Sequence, residues 1–310
     1  MFIKVLGSGA GGGFPQWNCA APTSNRAWAQ DPAASPRTQA SVAVSADGRQ
    51  WVLLNASPDL RQQILATPQL HPRAADGRRN SPIRAVVLTN GDVDAVAGLL
   101  TLRERQPCTI YASDTILATL AANSIFNVLD PSVVDRKCLP MEAPIDLVDH
   151  GAKLGLTVEA FAVPGKVALY LEARDAPIAI GTRSGDTIGL AIRETATGVA
   201  FFYIPSCATV DDALAARLRG AKLVFFDGTL FSDDELVAQG LSEKTGQRMG
   251  HISMSGPRGS LTALASLDIA QRVYIHMNTS NPALLDDTPE RQTVERSGWT
   301  VAHDGMEFRL

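Results

Sequence analysis

The sequence predicts an α/β (α+β) fold in which two strand-rich halves stack sheet on sheet with helices outside, as a single domain over residues 1–310. Three features lead to this expectation. Apolar runs of strand length recur in both halves of the chain. Each half holds a pair of such runs that reads as a hairpin, residues 40–45 with 50–55 and residues 187–193 with 199–204. No internal repeat, low-complexity tract or clear linker divides the halves.

Taken in order, residues 2–6 form a short strand that runs into a glycine cluster, and the first hairpin turns at Ala46-Asp47-Gly48. Pro58 stands at a helix start, followed by an apolar face of Leu60, Ile64 and Leu65. A fully apolar strand ends at Leu88, and a helix beginning near Val96 continues to about Arg105. Residues 109–112 read as a strand and the segment after Ser113 as a helix. Residues 131–185, rich in Pro and Gly, read as strands joined by long loops. After the second hairpin come a helix over 211–218 and a buried strand over 223–226. A polar, glycine-punctuated loop covers 240–259. A helix near Leu261, a strand over 273–275, a helix over 289–296 and short terminal strands complete the chain.

The composition excludes several classes. The formal net charge of -4 comes with no basic stripe, so nucleic acid is not an expected partner. No stretch has the eighteen or more apolar residues of a membrane span, and the N-terminal apolar run is too short for a signal peptide. Cys19, Cys108, Cys138 and Cys207 are scattered, which fits reduced thiols and a cytoplasmic location. Gly7-Ser8-Gly9-Ala10-Gly11-Gly12 matches a dinucleotide-binding pattern, but Gly13-Phe14-Pro15 follows where a helix should open, which argues against a nucleotide fold.

The informative residues lie where apolar strands end. The strand to Leu88 is followed by Asn90, Asp92 and Asp94, the strand to Phe226 by Asp227, and the strand to Ile275 by His276. His251 belongs with them from a glycine-flanked loop. Ligand sites in α/β proteins gather beyond the carboxyl ends of strands. Alternate positions along an extended segment share a side, so Asn90, Asp92 and Asp94 would project together. Close carboxylates repel, and a bound cation relieves that repulsion. Each residue has a plainer reading: Asp94 as a helix cap, Asp227 as turn chemistry, His276 as a hydrogen-bonded core histidine. Their conjunction is what favours a metal.

The pattern resembles the metallo-β-lactamase superfamily, whose His-x-His-x-Asp-His loop, later Asp and final His line one edge of an αββα four-layer sandwich. Longer matches narrow the resemblance to the coenzyme PQQ synthesis protein B family, over essentially the whole chain. They include Gly11-Gly12-Gly13-Phe14-Pro15-Gln16-Trp17-Asn18-Cys19, Asn55-Ala56-Ser57-Pro58-Asp59, Asp227-Gly228-Thr229, Lys244-Thr245-Gly246, Met249-Gly250-His251 and Ala302-His303-Asp304-Gly305-Met306. Two departures matter. A cysteine cluster of many relatives is reduced here to Cys19, so no structural zinc site is expected. The loop reads Asn90-x-Asp92-x-Asp94-Ala95, which argues against a two-zinc hydrolase.

Two imidazoles with a carboxylate suit non-haem Fe(II), with Zn as the other candidate. The resemblance then implies oxidative hydroxylation of the tyrosine ring in a small-molecule PQQ precursor derived from Glu and Tyr. Asp94, Asp227 and His276 are the first-choice ligands and catalytic groups, with Asp92 and His251 next and Asn90 hydrogen-bonding behind them. Lys244 and Arg248 are expected to hold substrate carboxylates, and the segment carrying Phe14 and Trp17 to cover the site. Two alternatives stay open: a carrier of PQQ or its precursor toward the periplasm, and a metal-dependent hydrolase. The sequence also leaves a homodimer open.

Overall fold

The computed structural model describes residues 1–172 and 185–310. Part of the long loop expected within 131–185 therefore lies outside the described residues. The strands are β1 (Phe2–Gly7), β2 (Ser41–Ser45), β3 (Trp51–Leu54), β4 (Ile83–Val87), β5 (Cys108–Ala112), β6 (Val134–Cys138) and β7 (Pro144–Asp149). They continue as β8 (Ala152–Ala162), β9 (Ile188–Glu194), β10 (Ala200–Ile204), β11 (Val224–Asp227), β12 (Arg272–Ile275), β13 (Trp299–Val301) and β14 (Glu307–Arg309). Among the described residues they form two seven-stranded sheets, in the orders β14-β1-β2-β3-β4-β5-β6 and β13-β12-β11-β10-β9-β8-β7.

Both sheets are mixed. The expected hairpins form, β2 antiparallel to β3 and β9 antiparallel to β10. The pairs from β3 to β6, and those from β10 to β13, are parallel. Parallel strands put their carboxyl ends on one edge, which is why β4, β11 and β12 can deliver side chains to a common place.

The core follows from side-chain alternation. Phe225, Val273 and Ile275 join the cluster shared with Val86, Leu88 and Ile110 of the first sheet. Their neighbours Phe226 and Tyr274 face the other way, among Leu214, Val294 and Trp299. Tyr274 stacks on Trp299 at 4.0 Å between ring centroids. The second sheet is thus buried on both faces, giving the αββα layering. Removing one of its fully buried rings costs about 3–5 kcal/mol.

The helices are α1 (Pro22–Trp28), α2 (Leu60–Ala66), α3 (Val93–Val96), α4 (Asp114–Ala122), α5 (Asp212–Leu218), α6 (Glu235–Ala238), α7 (Gly246–Met249), α8 (Ser260–Ala263) and α9 (Pro289–Arg296). Caps fix several starts: Ser113 accepts from Ile116 N, Asp211 from Leu214 N and Thr288 from Arg291 N. Each such cap is worth about 1 kcal/mol.

One boundary differs from the sequence expectation. Helix α3 begins at Val93, three residues before Val96, and passes into a 3-10 turn over Ala97–Leu102. Asp94 therefore sits inside the first turn and caps nothing. The turn presses on the 55–59 loop, where Gly98 N donates to Ala56 O and Ala56 N to Ala95 O, both at 2.8 Å. A Cβ on Gly98 would lie 2.1 Å from Ser57 O, so only glycine permits this approach.

Candidate metal centre

Two strand ends, the first turn of α3 and one loop build the centre. β11 ends in Asp227, which is fully buried. Its Oδ2 accepts from Cys207 N at 2.8 Å and from His251 Nδ1 at 2.7 Å, and its Oδ1 accepts from Thr229 N at 3.0 Å and Thr229 Oγ1 at 2.6 Å. The close turn depends on Gly228, where a Cβ would come 2.7 Å from Met277 Sδ. β12 is followed by His276 with φ +63, a left-handed conformation costly for a side-chain-bearing residue. The glycine loop after β1 holds it there: Ala10 N donates to Met277 O at 2.7 Å and Met277 N to Ser8 O at 2.9 Å. His251 follows α7, whose end is set by Gly250 at φ +84.

Thr229 Oγ1 lies 3.0 Å from His251 Nδ1 and 2.9 Å from His276 Nδ1, and the two rings stack at 5.2 Å. A hydroxyl has one hydrogen, and the acceptor-only Asp227 takes it. Both imidazoles must then donate from Nδ1, which turns each Nε2 outward. The His276 Nε2 meets Asp94 Oδ2 at 2.8 Å. Burial disfavours charge on both, yet their pairing outweighs it: the Asp94 carboxyl is lowered and the His276 imidazole raised. Asp92, by contrast, is pushed up, first by burial and then by the charge of Asp94.

A cation fits this set. Ligand atoms of Asp227, His251 and His276 all lie within 4.8 Å of one another. The 2.8 Å gap between His276 Nε2 and Asp94 Oδ2 is now bridged by a proton. It is also close to the roughly 3 Å between neighbouring ligands of an octahedral ion with bonds of about 2.1 Å. The donation from His251 Nδ1 to Asp227 is the support that metal-binding imidazoles receive from a carboxylate.

Asp94, Thr229, His251 and His276 line a cavity of about 530 Å³ together with Asn90, Asp92, Lys166, Glu172, Lys244, Arg248 and Asn278. The structure thus brings Asn90, Asp92, Asp94, His251 and His276 to one cavity, with Asp227 buried beneath. Asn90 Oδ1 accepts from Asp92 N at 3.0 Å, so it braces the backbone of the loop that carries Asp92. Asp92 Oδ1 accepts from Leu169 N at 2.9 Å and so faces the segment over residues 167–172. Lys244 and Arg248 also line the cavity, Arg248 paired with Glu172 at 3.2 Å. Trp17 does not line the cavity: its side chain is 82% exposed, while Gln16, Asn18, Cys19 and Ala20 beside it do line the wall. Phe14 is buried and pins the loop instead.

Sequence reasoning passed over Thr229, Lys166 and Glu172. Thr229 carried a signal, since it follows Asp227-Gly228 where the chain must turn tightly. Lys166 and Glu172 carried none, because they come from an irregular segment with no strand end to mark them.

A model described as the beta-lactamase superfamily domain matches residues 50–277. "Coenzyme PQQ synthesis protein B" of Xanthomonas oryzae pv. oryzae is 53% identical over 310 residues, covering all of both chains. Its counterpart in Gluconacetobacter diazotrophicus is 55% identical over 307 residues, covering 99% of this chain and 98% of its own. The crystal structure of Zn2+-bound PqqB from Methylobacterium extorquens superposes with a TM-score of 0.95 at 50% identity over 100% of both chains. A diphosphatase of the PhnP family, at 21% identity and a TM-score of 0.65, shares the fold, covering all of this chain and 97% of its own. With its architecture and its sequence pointing the same way, the chain belongs to the coenzyme PQQ synthesis protein B family of the metallo-β-lactamase fold.

Proposed function

We propose that the chain acts in PQQ biosynthesis as an iron-dependent oxygenase that hydroxylates the tyrosine ring of a Glu- and Tyr-derived precursor. The observation that carries this reading is the meeting of His251, His276 and Asp94, with Asp227 beneath them, in a cavity that also holds Lys166, Lys244 and Arg248. Fe(II) held by His276, His251 and Asp94, with Asp92 beside them in the cavity and Asp227 orienting His251 from beneath, would supply activation of O2. Zinc, bound in the Methylobacterium relative, is the competing ion.

The chain's own residues do the rest. Thr229 fixes both rings by accepting at Nδ1, and Asp227 orients His251. Lys166, Lys244 and Arg248 hold carboxylates, so the aromatic ring points toward the imidazoles. The segment over 167–172 shields the acidic side, where Tyr170 Oη donates to Gly91 O at 2.7 Å. Net hydroxylation converts an aryl C–H and O2 into a phenol and water, and consumes two protons and two electrons from a reductant.

A dinuclear hydrolase is disfavoured by Ala95, whose methyl is buried where the superfamily loop carries an imidazole. A precursor carrier without catalysis is the second reading, favoured by the same loss of loop imidazoles. Protein purified without oxygen, assayed for metal and then for O2 uptake with the precursor, separates the three. Iron with O2 uptake supports the oxygenase. Tight precursor binding without turnover supports the carrier, and zinc with ester cleavage the hydrolase.

A further inference from the structure

The cavity lining contains an ion cluster beside the loop that carries His251. The Glu172 carboxylate lies between two cations, with Oε1 3.0 Å from Lys166 Nζ and Oε2 3.2 Å from Arg248 Nη2. All three side chains line the cavity, and that of Glu172 is only 10% exposed. The cations hold its carboxyl below the usual range although burial opposes this.

The fit is loose. Among the described residues, Glu172 Oε1 is buried with no hydrogen bond of good geometry, and Arg248 Nη1 is buried with no partner. A guanidinium that meets a carboxylate fully does so through two parallel N–H bonds. Arg248 gives Glu172 only one. The cations themselves are well placed. Gly250 at φ +84 leaves room for the Lys166 stem, which a Cβ at 250 would approach within 3.0 Å, and Lys166 Nζ also donates to Val167 O at 3.1 Å.

We propose that Lys166 and Arg248 are the carboxylate subsite of the substrate and that Glu172 is its internal stand-in, displaced when a substrate carboxylate arrives. This rests on the reading of the cavity as the seat of a carboxylate-bearing precursor. An intramolecular carboxylate competes at high effective concentration, so a neutral ester cannot dislodge it and a weakly placed acid does so poorly. A ligand carboxylate able to engage both donors of Arg248 wins, and Glu172 thereby sets a threshold for binding. Its release also removes one tie of the segment 167–172, which is held too, among the described residues, by Leu169 N to Asp92 and Tyr170 Oη to Gly91.

The test is calorimetric titration of the full-length protein with PQQ itself, a tricarboxylate, at low salt. Glu172→Gln should bind about tenfold tighter than the unaltered protein, and Lys166→Met and Arg248→Met about tenfold more weakly. In the Arg248→Met background the gain from Glu172→Gln should vanish. Unchanged or weaker binding by Glu172→Gln, with an unaltered melting temperature, overturns the proposal. Should Glu172→Gln fail to fold, Glu172→Asp keeps the charge but withdraws it by one methylene and should still tighten binding. Equal affinity there overturns the proposal as well. If the unaltered protein binds no PQQ, the carboxylate-substrate reading falls with it; binding that ignores residue 172 defeats the displacement alone.

Discussion

Two groups of side chains that line the cavity are built differently. In the imidazole group, side chains arrive from strand ends, and the Asp227, Thr229, His251 and His276 contacts close on one another at 2.6–3.0 Å. In the cationic group, Lys166, Glu172, Lys244 and Arg248 come from irregular segments and a one-turn helix, and buried polar atoms are left without partners. The comparison teaches a division of labour. Ion binding tolerates errors of only a few tenths of an ångström and needs rigid support, whereas carboxylate capture tolerates rearrangement.

Breaking the rigid group should have the largest effect. His276→Asn, which tolerates φ +63, should lower bound metal more than about 100-fold while the circular dichroism stays native. Unfolding of that variant, with no metal in the unaltered protein, would make His276 a core residue. Thr229→Val keeps the shape but removes the acceptor shared by both rings. Metal affinity should drop about 10–100-fold with a small change in melting temperature. An unchanged affinity would mean the hydroxyl orients neither ring.

A third test probes a buried carboxylate behind the cavity lining. Glu235 is buried, accepts from Ser280 Oγ, Phe231 N and Ser232 N, and its carboxyl is raised to about 7, mainly by burial. Ser280 in turn accepts from Asn278, a cavity residue. A carboxyl raised on folding favours its protonated form. Its stabilisation is therefore present below the unfolded value of about 4.3 and is lost as pH rises toward 7. In denaturant titrations Glu235→Gln should gain on the unaltered protein across that window and no further above it. A constant gap would remove the burial effect. The smallest effect belongs to Lys244→Met. Its ammonium has no ion pair among the described residues, so precursor affinity should fall about threefold at low salt and be unchanged at high salt.

Much of the centre was legible from strand ends alone. Asp227 and His276 follow apolar runs that could only be core strands, and the structure brings His276 to Asp94 across 182 positions of sequence. The loop at Asn90 was read less well. Asn90, Asp92 and Asp94 line one cavity, but Asp94 is not on an extended segment: α3 starts three residues early, because the short apolar stretch after Asp94 fits either boundary. Trp17 was misplaced for a related reason: an aromatic in a glycine loop can face in or out, and here Phe14 takes the inward position.

The sequence by itself determined the two-sheet architecture, the acids and imidazoles at strand ends, and the family. Those are properties of local pattern, since burial demands apolar runs and chemistry interrupts them. Only the tertiary structure decided that Thr229 locks both rings, that Asp227 holds His251, and that Glu172 occupies the cations. Such assignments depend on which atoms meet within about 3 Å, and a chain of 310 residues does not encode those meetings in any local window.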